Sequence, residues 1–342
     1  MKTASLIPLN RTSTYEGPGF HNALQNHGTG VYLTDTVEIA EVSAERAYFG
    51  YVTQFGFPER AGNPVNSILG MRLSYFKLPF RSLHLTDFIT GLSLNCESDD
   101  PQCDAHGPYL LPQLKNASAI NRMATSFYLG PDEAETAYPE MILGGAYDKA
   151  KIGGDLFTVD MEDPRGSSSR GQTNSANVTA LSVTVDDNTT VSETYGPADV
   201  GVPVLLDTGV ASWYVPTNIA NAVYAGLGGL SKGEYDPSTP YQNVDCKSRN
   251  AESARGHISV EFGSAGQVEI PLHRLVTQFT EDHCATYVHP RGDSVSIFGD
   301  AFLRGVYIIF DQEDFTVTMS NVKYTREQDI VPFPEGGFSR KA

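Results

Sequence analysis

Residues 202–216 read Val-Pro-Val-Leu-Leu-Asp-Thr-Gly-Val-Ala-Ser-Trp-Tyr-Val-Pro. An apolar run carrying one proline leads straight into Asp207-Thr208-Gly209, and a second apolar run follows. That pattern predicts a buried strand, a tight turn and another strand. A carboxylate at such a turn has little water around it. Keeping Asp207 charged there costs several kcal/mol unless hydrogen bonds or a partner group hold it, so an acid at this point reads as one with a chemical task. A plain hairpin turn, using Asp and Gly for their backbone conformations, accounts for the same three letters. The pattern alone leaves both readings open.

The 342 residues are long enough for two domains of ordinary size. Lys and Arg number 24 against 41 Asp and Glu, a net charge of −17, which argues against nucleic acid or an anionic membrane surface as partner. Such a surface suits a protein that stays soluble in acid surroundings, and equally one that is merely soluble. The 32 glycines and 20 prolines, with abundant Val, Thr, Tyr and Phe, predict short strands and many turns. The fold class expected is all-β with a few short helices.

The four cysteines, Cys96, Cys103, Cys246 and Cys284, include no Cys-x-x-Cys pair, so metal spacing is absent and neither metal nor cofactor is expected. Nearest-neighbour pairing gives Cys96 to Cys103 and Cys246 to Cys284, one of three possible connectivities. Four Asn-x-Ser/Thr sequons, at Asn10, Asn116, Asn177 and Asn188, point with the cysteines toward a secretory route. The N-terminus carries no apolar run long enough for a signal peptide, no segment approaches a membrane span, and the tail after Thr325 offers no hydrophobic anchor. A secreted protein whose front is missing reconciles these observations.

In chain order, strands are expected over 31–37, 47–52, 67–70, 126–129 and 141–145, with helices over 109–122 and 218–227. The acidic loop around Cys96 and Cys103 lacks the ordered ligand spacing of a calcium site. Asp163 to Ala176 reads as a surface loop. Beyond it strands dominate, at 178–185, 202–206, 257–262, 267–270, 294–298, 306–310 and 315–319. Ser67-Ile68-Leu69-Gly70 is echoed by Ser296-Ile297-Phe298-Gly299, as a duplicated architecture would produce.

The second half resembles the C-terminal lobe of a pepsin-like aspartic protease, most similar to the secreted fungal branch. Leu205-Leu206-Asp207-Thr208-Gly209 with Trp213-Tyr214-Val215-Pro216 resembles the second catalytic loop, and the stretch from Ser296 to Asp311 resembles the family's C-terminal signature. Cys246 and Cys284 stand where that lobe carries its disulfide. Ile142-Leu143-Gly144-Gly145 with Asp148, Ala150 and Lys151 is similar to the strand leading between lobes, and Gly30 to Val37 to the strand after the flap hairpin. The likeness runs from about Asn10 to Thr325. It implies a bilobal all-β acid protease fold whose first lobe is incomplete, divided as 1–155, 156–325 and a polar tail 326–342. It also implies a secreted monomer that takes a peptide or protein substrate in the cleft between lobes.

The family's mechanism needs two Asp-Thr/Ser-Gly loops whose carboxyls share a proton; one acid stays neutral while the other takes a proton from the attacking water. Here Asp207-Thr208-Gly209 is the only such triplet, so the resemblance assigns Asp207 as catalytic, with Thr208 and Gly209 supporting its loop. Asp35-Thr36 lacks the glycine and aligns with the post-flap strand. The first loop is expected upstream of Met1. Two further departures stand out: Leu24 lies nearest the place of the flap tyrosine, and Val210 replaces the Ser or Thr that follows the glycine. The resemblance therefore implies an aspartic endopeptidase. The alternative is an inactive pseudoprotease that binds peptide or serves as a pathway-accessory protein, including in a fungal secondary-metabolite cluster.

Overall fold

The computed structural model describes residues 110–132, 139–161, 174–186, 188–195, 201–231, 235–291 and 297–339, and before them the backbone of six strands. Two compact units divide the chain, residues 1–123 and 124–342.

In the first unit the long strands Thr29–Ile39 and Val42–Gln54 form an antiparallel hairpin. Ser13–Thr14 and Phe20–His21 both pair with Thr29–Ile39, while Phe88–Gly91 joins Val42–Gln54 and carries Ile68–Gly70 in parallel on its far side. Asp35 sits in this hairpin opposite Ala47, within a strand rather than at a turn. The helix Leu110–Asn116 follows, shorter than the 109–122 expected, with Leu111 and Leu114 buried.

The second unit is built mainly on antiparallel sheets. One has the strand order Phe157–Asp160, Thr316–Asn321, Val306–Asp311, Ala124–Tyr128, Glu140–Leu143. All six residues of Val306–Asp311 are buried, as befits a central strand covered on both faces. Each fully buried Ile or Phe contributes about 1.5–3 kcal/mol by leaving water, so Ile308, Ile309 and Phe310 anchor this layer. A second sheet runs Asn188–Thr194, Ala180–Val185, Gly256–Glu261, Gln267–Pro271. The expected strand 178–185 is in fact two, Ser175–Val178 and Ala180–Val185, which belong to different sheets. Between them, the Thr179 hydroxyl lies 3.2 Å from the Glu261 carbonyl and accepts from Gly263 N at 2.8 Å.

Three polar strands, Gln242–Val244, His283–Thr286 and Val276–Thr280, form a small sheet closed by the Cys246–Cys284 disulfide, whose Cα atoms are 5.0 Å apart. Cys96 and Cys103 lie outside the described residues. Residues 326–342 are not wholly a tail: Ile330–Pro332 pairs antiparallel with Ala146–Asp148, and Phe333 and Phe338 pack on Tyr147. The turn that sends Glu140–Leu143 into Ala146–Asp148 is Gly144-Gly145, with φ of 101° and 92°, a backbone region that favours glycine.

Candidate functional site: the Asp207 loop

The expected strand–turn–strand forms around Asp207. Val202–Leu206 pairs antiparallel with Ser175–Val178 and parallel with Ile297–Phe298, while Trp213–Val215 pairs with Ile297–Phe298 from the other side and in parallel with Val288–Pro290. The short strand Ile297–Phe298 therefore lies between the two arms of the loop. Asp207 N donates to the Phe298 carbonyl at 3.0 Å, which pins the start of the turn. The carboxylate oxygen Oδ1 of Asp207 accepts the Gly209 amide at 2.8 Å, and Val210 N approaches the Asp207 carbonyl at 3.3 Å. Aspartate thus closes its own turn, as the plain-turn reading expected, while its side chain stays half-buried and Gly209 is exposed.

The far side of the loop is held by backbone hydrogen bonds. Gly299, Asp300 and Ala301 donate their amides to the carbonyls of Ser212, Val210 and Ala211 at 3.1, 2.7 and 3.1 Å. These amides open the short helix Asp300–Leu303, so three loop carbonyls meet otherwise unpaired helix-start donors. Val210 contributes through its main chain; where a Ser or Thr would bring a hydroxyl, it brings two methyl groups. Trp213 is fully buried against Phe298 and Phe302 at ring-centroid distances of 5.3 and 5.2 Å, which makes it packing rather than a platform for a ligand. Tyr214 stacks on His289 at 5.6 Å, and burial lowers the His289 pKa, against the bond its Nε2 makes with the Pro240 carbonyl. His289 therefore supports the second arm from beneath.

The loop has a second carboxyl that sequence reasoning left without a role. Asp300 presents a buried Oδ1 with no hydrogen-bond partner. Burial pushes its pKa up from 3.8 to about 6, the Arg304 charge pulls it down, and the negative charge of Asp207 raises it further. The signal was its place in Gly299-Asp300-Ala301-Phe302-Leu303, an acid flanked by residues that must be buried.

With its folded pKa raised, Asp300 supports the fold fully below 3.8, and that support is lost as pH climbs through about 6. Asp300→Asn is expected to remove this loss. Between about pH 4 and pH 7, urea-midpoint measurements should show the parent losing about 2 kcal/mol more than the variant.

Of the other residues singled out by sequence, Asn116 is exposed at the end of its helix, and Asn177 is half-buried opposite Pro203 with the Thr179 hydroxyl of its sequon engaged as above. Asn188 opens the strand Asn188–Thr194, though its side chain lies outside the described residues, as does Asn10. Among the described residues no group of three or more His, Cys, Asp or Glu is placed to hold a metal ion, and no helix is long and apolar enough to cross a membrane.

A paired-arm loop presenting Asp-Thr-Gly at its tip, in an all-β unit, is the arrangement the sequence resemblance implied. The chain belongs to the eukaryotic aspartyl protease family, which matches it over residues 11–322. Similar proteins are fungal. Secreted aspartic protease 9 of Candida albicans is 30% identical over 232 residues, 67% of this chain and 40% of that protein. Candidapepsin-4 of Candida albicans is 29% identical over 223 residues, covering 64% of this chain and 47% of the relative. Aspartic proteinase 3 of Saccharomyces cerevisiae is 26% identical over 219 residues, 64% of this chain and 36% of the relative. The chain thus matches less than half the length of each of these relatives.

Proposed function

We propose that Asp207 is a catalytic carboxyl of an aspartic endopeptidase acting on peptide or protein substrates, with Thr208 and Gly209 shaping its loop. The observation that carries this reading is the turn itself: Asp207 is fixed by Phe298 through its amide and by Gly209 through its carboxylate, half-buried where a carboxylate can be tuned yet still meet water. In such a site a second acid shares one proton with Asp207, and the ionised member of the pair draws a proton from the attacking water. The resulting pKa values belong to the pair. Family membership, the Cys246–Cys284 bridge and the secreted relatives support a secretory, disulfide-permissive setting, with glycan acceptors at the sequons, of which Asn116 is exposed.

A second reading rests on Val210 and on the absence of another Asp-Thr/Ser-Gly from these 342 residues. In it the chain binds peptide without cutting, as a pseudoprotease or accessory protein. One experiment separates the two. Protein of this sequence and its Asp207→Asn variant are assayed side by side for cleavage of a denatured protein at acid pH, with and without a statine inhibitor.

The first reading expects statine-sensitive cleavage that falls about 10²–10⁴-fold or more in Asp207→Asn. No cleavage by either protein favours the pseudoprotease. Cleavage that survives Asp207→Asn removes Asp207 from the mechanism.

A further inference from the structure

Away from the Asp207 loop, the second unit buries another pair of carboxyls. Asp148 is fully buried and Glu140 half-buried, and they sit on consecutive strands, Glu140–Leu143 and Ala146–Asp148, joined by the Gly144-Gly145 turn. The side chains lie within hydrogen-bonding reach of each other. Each also keeps one buried oxygen, Glu140 Oε1 and Asp148 Oδ2, without a hydrogen-bond partner. Two ionised carboxylates are acceptors only, so neither can satisfy the other. One added proton would supply the missing donor and satisfy both.

The same two residues, together with Lys149 and Lys151, hold residues 325–333. Asp148 Oδ1 accepts the Asp329 amide at 2.7 Å, and Lys149 N donates back to the Asp329 carbonyl at 2.8 Å. Gln328 Nε2 donates to Glu140 Oε2 at 2.6 Å, and Lys151 Nζ donates to the carbonyls of Thr325 and Glu327, each at 2.7 Å. The segment crosses the surface as a strap: residues 326–330 are exposed, and its attachment below is polar until Phe333 and Phe338 reach Tyr147.

We propose that a single proton shared between Glu140 and Asp148 latches the 325–333 strap onto the second unit, and that the strap opens when that proton is lost. The donor inventory assigns the proton. Asp148 is supplied with the Ala150 and Asp329 amides and with the Lys151 ammonium, whose Nζ lies 3.8 Å from Oδ2, so Asp148 holds the negative charge. Glu140 receives one neutral amide, from Gln328, and keeps the proton. The other groups facing the pair are Tyr307, whose hydroxyl accepts Asp148 N at 2.7 Å, and Tyr128, whose ring carries Lys151 Nζ at 5.0 Å and which also faces Arg274. Burial raises the pKa of both phenols, leaving them neutral across the acid range.

Desolvation, first of all, raises the Glu140 pKa above its ordinary 4.5; Asp148 adds to the rise, while Gln328 and Lys151 oppose it. The latch is therefore complete below the ordinary glutamate value and fails as pH rises through the raised one. Above that point a second negative charge faces Asp148 with only Lys151 to offset it, and each further pH unit weakens the latch by up to about tenfold. The rings of Phe333 and Phe338, 4.9 Å apart and both against Tyr147, keep the far end tethered, so the expected change is local opening rather than unfolding.

The test is amide hydrogen exchange of Lys149 and Asp329 in the intact chain, corrected for the intrinsic effect of pH, with Ile309 in the central strand as the internal standard. From about pH 4 to about pH 7 the strap amides are expected to open about tenfold or more while Ile309 does not change. In Glu140→Gln, where an amide donates permanently to Asp148, the same amides should vary by less than about twofold. Unchanged protection in the parent, an identical rise in the variant, or a rise shared by Ile309 each overturns the proposal. Should the variant not fold, the ¹³C carboxyl titration of Glu140 in the parent decides. Its midpoint must coincide with strap opening, and titration at the ordinary value of 4.5 overturns the latch. None of these readouts involves peptide hydrolysis, so the latch and the Asp207 reading stand or fall separately.

Discussion

Gly299→Ala is expected to destabilise the second unit by about 4 kcal/mol or more, a large part of the 5–15 kcal/mol typical of a folded domain. Gly299 has a φ of −89°, which alanine adopts freely, so the cost is not conformational. It is spatial. A Cβ built there lies 1.9 Å from the Val210 carbonyl oxygen and 2.5 Å from that of Ser212, inside the contact distance of any real carbon. Those two carbonyls accept the amides of Asp300 and Gly299 itself. Relieving the clash means moving both away from their donors, in a buried region where each unsatisfied group costs about 1–3 kcal/mol on top of the overpacking.

A matched control is Gly154→Ala, where the nearest atom to an added Cβ is 3.7 Å away, and it should fall within about 0.5 kcal/mol of the parent. Urea unfolding followed by circular dichroism measures both. A Gly299→Ala protein as stable as its control would mean that the loop's far arm is not held as described.

Why the Asp207 loop could be read from sequence, and its support could not, follows from where the information lies. Val202 to Leu206 declares itself as a strand because its residues are apolar in a row, and 218–227 as a helix because Ile219, Ala222, Val223 and Leu227 are apolar at helical spacing, and Ile219, Val223 and Leu227 are indeed buried. Gln242–Val244 and Val276–Thr280 have no such pattern. Their pairing with His283–Thr286 comes from partners about 40 and about 7 residues away, and the Cys246–Cys284 bridge ties that sheet to the turn beside it.

Ile330–Pro332 escaped for a related reason. A three-residue strand ending in proline and flanked by charges reads as a tail until Ala146–Asp148 is found opposite it. Asp300 carries the sharper lesson. Its letters resemble those of other helix-start acids, and its carboxyl is perturbed chiefly by burial, then by Arg304, which lowers its pKa, and by Asp207, which raises it from a distant place in the sequence. The identity of a catalytic candidate was local, whereas its electrostatic surroundings were not.

The second large effect is expected at Trp213, the only tryptophan of the chain. Its ring is fully buried, edge-on to Phe298 and Phe302, which themselves lie 4.8 Å apart. Truncation in Trp213→Ala removes the ring that joins the second arm of the loop to the helix after Gly299, and should cost about 3–5 kcal/mol. Phenylalanine at the same place should behave differently. The indole Nε1 is buried without a hydrogen-bond partner, an arrangement that costs about 1–3 kcal/mol in the parent. Trp213→Phe surrenders part of the packing but also discards that orphaned donor, so the two changes offset and the net loss should stay near about 1 kcal/mol.

Chemical unfolding followed by far-ultraviolet circular dichroism, which does not depend on the lost fluorophore, measures both variants. Equal losses in the two would show that the indole nitrogen finds a donor-satisfying contact in solution. A small loss in Trp213→Ala would show that the loop is held by its backbone bonds to Gly299, Asp300 and Ala301 alone. The same ring also offers a direct view of the site. Because the ring packs against Phe298 and Phe302, which flank Asp300, its fluorescence should change as pH passes through about 6, and Asp300→Asn should abolish that change.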